Sequence, residues 1–204
     1  MNPPQTLPVN HHADHPGFSG PAGLAAGALM FAAGRRRARM VIETAAVTGS
    51  DRVVDIGCGS GAAVRAAARR GARVTGVDPS PVMLRLARLL VRGSSIRWAT
   101  GVAERLPLGD DEATVALAVA TVHHWPDVTT ALTEVARVLA PGGRFVAVER
   151  YSPVGATGLA THGWTEDQAR SFAELCRAAG LADPGIERIT VGRHDFWVVR
   201  TNRA

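Results

Sequence analysis

Residues 53–61 read VVDIGCGSG, an apolar run that ends on an acid and is followed by glycine at three alternate positions. Glycine is favoured where the backbone takes a positive φ, or where another group comes too close for a Cβ. The pattern therefore predicts a buried strand over 52–56 that enters a binding turn. A helix is expected to follow from residue 62.

The same alternation of β-branched and helical segments continues along the chain. Further strands are predicted at 73–77, 95–100, 114–120 and 144–149, and helices at 62–70, 80–92 and 127–139. Strands separated by helices of this length form right-handed crossovers, and hence a parallel sheet with helices on both faces. Such α/β sheets bind ligands beyond the carboxyl ends of their strands.

The tail of the chain follows a different pattern. Thr165 and Gln168 stand at capping-box spacing and open a helix predicted to run to Gly180. Two strand-like segments, 186–191 and 194–200, then follow with only a short link. Because so short a link fits an antiparallel hairpin and not a crossover, one reversed strand is predicted at the end of the sheet.

Length and composition indicate one domain with an N-terminal arm. The 204 residues, 46% of them hydrophobic, suit a single α/β domain. We assign 1–34 to an arm with a short helix at 21–33, which can close over the site, and 35–204 to the domain, beginning with a helix at 35–47. No run approaches the roughly 20 apolar residues of a membrane span, and the proline-containing start does not resemble a secretion signal. We therefore expect a cytoplasmic protein with two reduced cysteines.

The chain is basic, with a net charge of +5 and a pI near 10.7. All its basic side chains apart from histidine are arginines, and only GRRRAR at 34–39 forms a run. A solvated helix face explains this run better than a nucleic-acid patch does. We therefore expect a small molecule as the partner, not a nucleic acid, and the oligomeric state stays open.

Asp78, in VTGVDPS, comes directly after the second predicted strand. A carboxylate there can accept hydrogen bonds from two ribose hydroxyls. The glycine turn with Ala62 also satisfies a nicotinamide-dinucleotide pattern, so the turn and Asp78 together predict a ribose without choosing the cofactor.

Five stretches resolve this ambiguity by their order and spacing: VVDIGCGSGAAV, VTGVDPSPVML, GVAERLPL, ATVALAVATVHHWPD and VARVLAPGGRFVAVER. Together they resemble the class I S-adenosylmethionine-dependent methyltransferases, in particular the small UbiE/type-11 group, over about residues 40–200. The resemblance implies a Rossmann-like sheet of seven strands, mostly parallel with the last strand antiparallel. It also implies S-adenosyl-L-methionine as the cofactor and an enzyme that transfers its methyl group.

The resemblance assigns donor contacts residue by residue. Asp55 would organise the turn near the donor's amino group, Asp78 would hold the ribose and Met83 would pack on the adenine. The implied cofactor-binding set is Asp55, Gly57, Cys58, Gly59, Asp78, Pro79, Met83, Val102, Ala103, Glu104 and Ala118. Two positions depart from the pattern, because Val102 replaces an acid that faces the adenine in relatives, and Thr114 replaces an Asp that usually begins the fourth strand.

The stretch HHWPD ends the fourth predicted strand, where the donor's methyl group should point. A histidine has the right pKa, about 6.5, for a general base at neutral pH. His124 is slightly preferred over His123, and Glu149 and Asp127 are held in reserve. Packing over the cofactor is the alternative role of the histidines, and a small turn residue is the preferred role of Cys58 over that of a nucleophile.

The remaining candidates would shape the acceptor pocket. The histidines of the arm fit a lid better than a metal site, because Pro16 and Gly17 oppose a stable helix there. The proposed substrate contacts are His11, His12, His15, Trp125, Tyr151 and Trp164. We expect methyl transfer to a hydroxyl of a metabolite or saccharide, and the rivals are a nicotinamide-dependent oxidoreductase, an RNA methyltransferase and a non-catalytic S-adenosylmethionine-binding module.

Overall fold

The computed structural model describes residues 20–157 and 162–204, with the side chains from residue 31 onward. Its helices are α1 Gly20–Thr44, α2 Ala62–Ala68, α3 Pro81–Leu90, α4 Val128–Val138 and α5 Glu166–Ala178, with a single 3₁₀ turn at Val122–His124. Its strands are β1 Arg52–Ile56, β2 Arg73–Asp78, β3 Ile96–Thr100, β4 Ala113–Val119, β5 Leu139–Arg150, β6 Leu181–Val191 and β7 His194–Arg203.

The seven strands form one sheet in the order β3-β2-β1-β4-β5-β7-β6. Strands β1 to β5 pair in parallel, and β7 is inserted antiparallel between β5 and β6. The predicted fold class is therefore confirmed: a mostly parallel α/β sheet of Rossmann-like type with the last strand antiparallel. The predicted hairpin is also confirmed, and its first strand takes the edge of the sheet.

Each face of the sheet carries its own core. Helices α1, α2 and α3 cover one face, where Val41, Val64 and Leu84 are buried. Helices α4 and α5 cover the other, where Leu132 and Phe172 are buried. Each such side chain contributes about 1.5–3 kcal/mol when it is removed from water, so the two faces together hold the sheet rigid under the site. Among the described residues, no helix is long and apolar enough to cross a membrane.

Helix α1 differs from the sequence expectation. Two helices were predicted, at 21–33 and 35–47, but the structure has one helix that continues through residue 34. A Cβ built on Gly34 would lie 3.6 Å from the Cβ of Ala62, an ordinary van der Waals contact, so α1 packs on α2 here without requiring a glycine. Packing against α2 and the sheet, with Val41 and Ile42 buried, outweighs the helix penalty of a glycine.

The amino ends of β1, β4 and β5 are joined through one buried acid, Asp51. Its Oδ1 accepts hydrogen bonds from Thr114 Oγ1 at 2.8 Å and from Arg144 at 2.8 Å. Thr114 Oγ1 in turn accepts from the Arg52 amide at 2.9 Å. Thr114, the residue that departs from the family pattern, therefore has a structural role at the edge opposite the expected ligand site.

The ring of Trp98, on β3, leaves no room for a Cβ at two glycines, so packing within the protein accounts for both. A Cβ built on Gly76 would lie 2.6 Å from the Trp98 ring, and one built on Gly61 would lie 2.7 Å from it. Gly76 and Trp98 are register partners on adjacent strands. The third glycine of the turn is therefore required by packing of the indole.

We expect Gly76→Ala to lower the free energy of unfolding by about 1–3 kcal/mol, because the added methyl overpacks the Trp98 ring. Gly185→Ala is the matched control, since Gly185 also lies in a strand but has open space where its Cβ would be. It should change stability by about 0.5 kcal/mol or less. Urea denaturation measures both, and equal losses would contradict the assigned role of Trp98.

Candidate active site

The candidate site lies beyond the carboxyl ends of β1, β2, β4 and β5, where an α/β sheet binds ligands. Asp55 lies near the end of β1, Asp78 ends β2 and Glu149 lies near the end of β5. All three carboxyl groups are buried, with relative exposures of 2%, 7% and 0%. The 3₁₀ turn at Val122–His124 follows β4 at the same edge.

Two glycines of the turn differ in what surrounds them: one is packed against protein and the other faces open space. Gly57 and Gly59 both have positive φ, +67° and +52°. A Cβ on Gly57 would lie 1.9 Å from Thr121 Oγ1, whereas one on Gly59 would have no atom within 4 Å. Gly57 is therefore required by contact with the loop after β4, and the open space lies at Gly59.

Asp78 is positioned by backbone amides. Its Oδ2 accepts from the Gly59 amide at 2.8 Å and its Oδ1 accepts from the Ser80 amide at 2.8 Å. Burial raises the pKa of Asp78, and these two amides oppose the rise. A carboxylate has about four acceptor positions, so two remain for donors such as ribose hydroxyls. The residues present therefore fit the sugar of an adenosyl group.

Asp55 is the most strongly perturbed acid of the site. Burial and, after it, the charge of Asp78 raise its pKa, and the net value is about 7. The Val64 amide and the charge of Arg37 oppose this rise. Asp55 therefore titrates near neutral pH in the free protein, and a cationic group such as an α-ammonium would favour its ionised form.

Cys58 does not have the environment of a nucleophile. Burial raises the pKa of its thiol, and the charges of Asp55 and Asp78 add to the rise. Its Sγ would lie 3.1 Å from a Cβ built on Gly76, which places the sulfur on the packed side of the turn. The preferred interpretation, a small residue that fills the turn, agrees with this geometry, and its backbone is held by hydrogen bonds from its amide to the Val77 carbonyl and from the Gly61 amide to its own carbonyl, both at 2.9 Å.

His123 and Glu149 form a hydrogen-bonded pair. His123 Nδ1 lies 2.9 Å from Glu149 Oε2, and the Val122 amide donates to Glu149 Oε1 at 2.8 Å. Burial lowers the pKa of His123, but the charge of Glu149 and its hydrogen bond outweigh this, so the net pKa lies above 6.5. Glu149 is fully buried, and the structure gives it a partner that sequence reasoning did not.

His124 and Asp127 lie farther out. The His124 side chain is exposed, although its ring centroid lies 4.0 Å from that of His123. Asp127 is the N-cap of α4 and accepts from the Thr130 amide at 3.0 Å. Glu104 accepts from the Asp127 amide at 3.2 Å, which ties the third-strand loop to this helix. These contacts are structural.

The remaining predicted donor contacts fall into two groups. Met83, Ala103 and Ala118 are buried, and Met83 donates its amide to the N-cap side chain of Ser80. Pro79 and Val102 are exposed, and the exposed fraction of Val102 is 43%. The position where relatives carry an acid is therefore an open apolar surface in this chain.

The predicted aromatic contacts are mostly engaged by protein. Trp125 and Trp164 are buried, and Trp164 packs against Phe172 with ring centroids 4.6 Å apart. Tyr151 is partly buried, and the Arg188 guanidinium lies 4.0 Å from its ring centroid. His11, His12 and His15 lie outside the described residues.

Sequence reasoning missed Arg37 and Thr121. Arg37 belongs to the run 34–39, which was interpreted as a solvated face, yet its side chain lies near Asp55 and Glu149. A helical phase anchored on the apolar positions 38, 41 and 42 would have indicated that residue 37 borders the buried stripe. No sequence signal marks Thr121, since its role depends on contact with Gly57.

Comparison with known proteins agrees with this geometry. Residues 54–147 match the family described as a methyltransferase domain. A demethylmenaquinone methyltransferase of Tropheryma whipplei is 40% identical over 108 residues, which cover 52% of this chain and 45% of that protein. A ubiquinone biosynthesis O-methyltransferase of Aeromonas salmonicida is 34% identical over 148 residues, which cover 64% of this chain and 62% of that protein.

A solved structure shows the same fold over nearly the whole chain. Phosphoethanolamine N-methyltransferase 2 of Haemonchus contortus, in complex with S-adenosyl-L-methionine, superposes with a TM-score of 0.77 at 16% identity. The match covers 98% of this chain and 61% of that one. The chain spans about half the length of the first curated relatives it matches. These findings confirm the predicted resemblance to methyltransferases. They also support S-adenosyl-L-methionine, the cofactor that this resemblance implies.

We expect Asp55→Asn to be more stable than the wild type at pH 8, by about 1 kcal/mol or more. The folded-state pKa of Asp55, about 7, exceeds the ordinary value of 3.8, so the folded chain holds the proton more tightly. This carboxyl therefore lowers stability as pH rises from about 4 to about 7. Urea unfolding at pH 5 and pH 8 should show a larger advantage of the variant at pH 8.

Asp51→Asn is the control of opposite sign. Burial raises the pKa of Asp51, but hydrogen bonds from Thr48 and Thr114 outweigh it and hold the net pKa below 3.8. Asp51 therefore adds stability that is present above the unfolded-state pKa and lost as pH falls below it. The Asp51 variant should have a lower free energy of unfolding than the wild type at both pH values. A variant more stable than the wild type would contradict this electrostatic assignment.

Proposed function

We propose that the chain, whose residues 54–147 match the methyltransferase domain family, transfers a methyl group from S-adenosylmethionine to an oxygen of a small-molecule acceptor. The observation that carries the proposal is the pair of a partly buried His123 and a fully buried Glu149 at the carboxyl edge of the sheet. Methyl transfer to a hydroxyl needs alignment of the reacting atoms, exclusion of water and removal of one proton. The site offers residues for each of these tasks.

The donor would be held by the first two strands and their loops. Asp78 would bind the ribose hydroxyls, Asp55 would face the α-ammonium, and the open face of Gly59 would lie under the methionine portion. Met83, Ala103 and the apolar surface of Val102 would border the adenine. When bound, the donor supplies a methyl group on a sulfonium that already serves as the leaving group.

His123 is the proposed general base. Its Nδ1 faces Glu149, and an ionised carboxylate can only accept hydrogen bonds, so opposite an ionised Glu149 the neutral ring carries its proton on Nδ1. Nε2 is then left with a lone pair for the acceptor hydroxyl. Glu149 fixes the ring orientation and stabilises the imidazolium that forms when the proton is taken up. His124 has an exposed side chain and is the second choice.

The acceptor is proposed to be a quinone-like aromatic hydroxyl compound. Two of the relatives bear names of quinone biosynthesis, one of them an O-methyltransferase. A third relative is named a C-methyltransferase, so a ring carbon is the second acceptor class, and a carbon acceptor would also use a base to remove the ring proton.

The first test is calorimetric titration with S-adenosylmethionine and with S-adenosylhomocysteine. We expect micromolar binding, and Asp78→Ala should weaken it by about 1.5–3 kcal/mol, the range for hydrogen bonds to a charged group. Asp167→Ala, at an exposed position in α5, is the matched control and should bind normally. Binding of NADH alone would replace the proposal with an oxidoreductase, and nucleoside binding that tolerates the loss of Asp78 would refute the donor assignment.

The second test concerns the base. With any hydroxylated acceptor that is turned over, His123→Ala should lower kcat by about 10²–10⁴-fold, the range for general base catalysis, while donor affinity stays the same. Because the base must be unprotonated, the wild-type rate should fall as pH drops through the raised pKa of His123. Glu149→Gln removes the cause of the rise, so the falling limb should move to lower pH.

An NMR titration of the histidine rings measures the same pKa without an acceptor. The His123 signal should titrate above 6.5 in the wild type and lower in Glu149→Gln. His194→Ala is the control for both experiments, because this exposed histidine lies at the start of β7 away from Glu149. An unchanged His123 titration in Glu149→Gln would argue against the pair, and full activity of His123→Ala would eliminate the base.

A further inference from the structure

A groove lies between the last turn of α2 and residues 90–96, which run from the end of α3 into β3. Its volume is about 370 Å³, within the range of small-molecule sites. Its lining includes three arginines, Arg65, Arg69 and Arg92, and no acidic residue. None of the lining residues belongs to the candidate active site, so this arginine groove is a separate feature of the surface.

The three arginines reach the groove from two sides. Arg65 lies on α2 and Arg69 is the C-cap of that helix, and residues four apart on a helix share one face. The Arg65 guanidinium is partly buried and lies 5.6 Å from the centroid of the Phe31 ring on α1. Arg92 follows α3 on the opposite side, and both Arg69 and Arg92 are exposed. Three positive charges are therefore held around one cavity.

The protein supplies no counter-charge to these arginines. Within the described part of the chain, none of the three forms an ion pair, whereas the neighbouring Arg70 pairs with Glu43 at 3.8 Å. Asp14 is the only acidic residue of the sequence whose side chain lies outside that part. Like charges around one cavity repel one another, and an anionic ligand would relieve this repulsion.

The turn after α3 adds hydrogen-bond donors that the protein does not use. Among the described residues, the amides of Arg92, Gly93 and Ser95 donate to no acceptor, and neither does the Ser95 hydroxyl. All three residues line the arginine groove, and Ser95 is partly buried. Backbone amides of a turn are typical components of anion-binding sites. The unused donors therefore indicate the same kind of ligand as the charges do.

The helix ends beside the groove reduce its positive charge without cancelling it. The C-termini of α2 and α3 both border the groove, and each is equivalent to roughly −0.5 elementary charge. The three guanidinium groups therefore leave a net charge of about +2. A phosphate monoester carries about −1.5 to −2 near neutral pH, and a guanidinium fork matches its oxygens with paired hydrogen bonds. The groove thus has the charge and the donors that this group requires.

We propose that the arginine groove binds the phosphate monoester of a ligand, with the three arginines around the phosphate. The apolar walls, which include Leu90, Val91 and Ile96, would contact the body of the ligand. The proposal goes beyond the proposed function and does not depend on it, because the groove shares no residue with the methyl-transfer site. Two sources present the same group: a soluble phosphorylated molecule, and the headgroup of an acidic phospholipid.

Calorimetry with the full chain tests the site, with phenyl phosphate and phenyl sulfate as a matched pair of probes. Both carry a phenyl ester, but the sulfate has a single negative charge where the phosphate has nearly two. The groove variants are the double variant Arg65→Gln/Arg69→Gln and the single variant Arg92→Gln. The control is the double variant Arg39→Gln/Arg193→Gln, which removes the same charge as the first at exposed positions outside the groove.

We expect the wild type to bind phenyl phosphate about tenfold more tightly than phenyl sulfate, because of the additional charge. The Arg65→Gln/Arg69→Gln variant should bind phenyl phosphate about tenfold or more weakly, since each lost hydrogen bond to a charged group is worth that factor. Arg92→Gln should weaken binding in the same direction. The control should stay within about twofold of the wild type, because exposed charges outside the groove are screened at about 0.1 M salt.

Equal weakening in the groove variants and in the control would show attraction by net charge alone and would overturn the proposal. A wild type that binds phenyl sulfate as tightly as phenyl phosphate would overturn it as well. Arg92→Gln changes an exposed side chain in a turn, so its Tm should equal that of the wild type, and its weaker binding then reports on the groove and not on folding.

Sedimentation with phosphatidylcholine vesicles, with and without phosphatidic acid, distinguishes the two sources. Co-sedimentation that requires phosphatidic acid and that the groove variants lose identifies a lipid headgroup. A chain that binds phenyl phosphate but does not sediment with either vesicle has a groove for a soluble ligand. Sedimentation that the groove variants retain, together with wild-type affinity of those variants for phenyl phosphate, would reject the site.

Discussion

The structure depends on how three carboxylates are kept at the buried carboxyl edge of one parallel sheet. An isolated ionised carboxylate in such a place is strongly unfavourable, and each of the three meets this cost in a different way. Asp78 accepts two backbone amides. Glu149 has His123 and the Val122 amide. Asp55 has less support, and its pKa rises to about 7 so that it is partly protonated in the free protein.

The groups that support these carboxylates also constrain the conformation of the backbone around them. The amide that donates to Asp78 belongs to Gly59, which has a positive φ, and the turn can close on the loop after β4 only because Gly57 has no Cβ to meet Thr121. Glu149 in turn orders the 3₁₀ turn through the Val122 amide. The residues that would contact ligands are thus fixed by hydrogen bonds between strands that are distant in sequence, which is the kind of support that keeps a site in one geometry.

Most of the fold could be predicted from the sequence because its signals are local. The alternation of strands and helices, the capping box at Thr165 and Gln168, and the short link before β7 were each confirmed. The position of Asp78 at the carboxyl end of the second strand was predictable because a motif carried it. The choice between His123 and His124 was not, because adjacent residues share every sequence signal and the carboxylate that distinguishes them is 26 residues away. The inward position of Arg37 was missed for a related reason. A run of arginines does not by itself show which of them faces the sheet, and only the helical phase of the neighbouring apolar residues does. The two helices predicted on either side of residue 34 are one, because burial of the apolar side chains of α1 against α2 and the sheet outweighs a glycine that propensity alone penalises.

The separation of charge across the site has a consequence for the proposed reaction. A sulfonium donor is cationic at sulfur and its product is not, so the attraction of Asp55 and Asp78 for that atom exists before transfer and is lost after it. The contacts of Asp78 with a ribose would be the same in both states, and they would therefore contribute to affinity without distinguishing donor from product. The α-ammonium that Asp55 would face is also present in both states, so discrimination would come from the attraction of the two carboxylates for the charged sulfur. Proton transfer has the opposite electrostatic effect. When the acceptor's proton moves to His123, positive charge is gained beside Glu149, and the buried carboxylate stabilises that charge. Negative charge at β1 thus acts on binding and release of the donor, and negative charge at β5 acts on the proton, so the two carboxylates serve different steps although they lie at the same edge of one sheet.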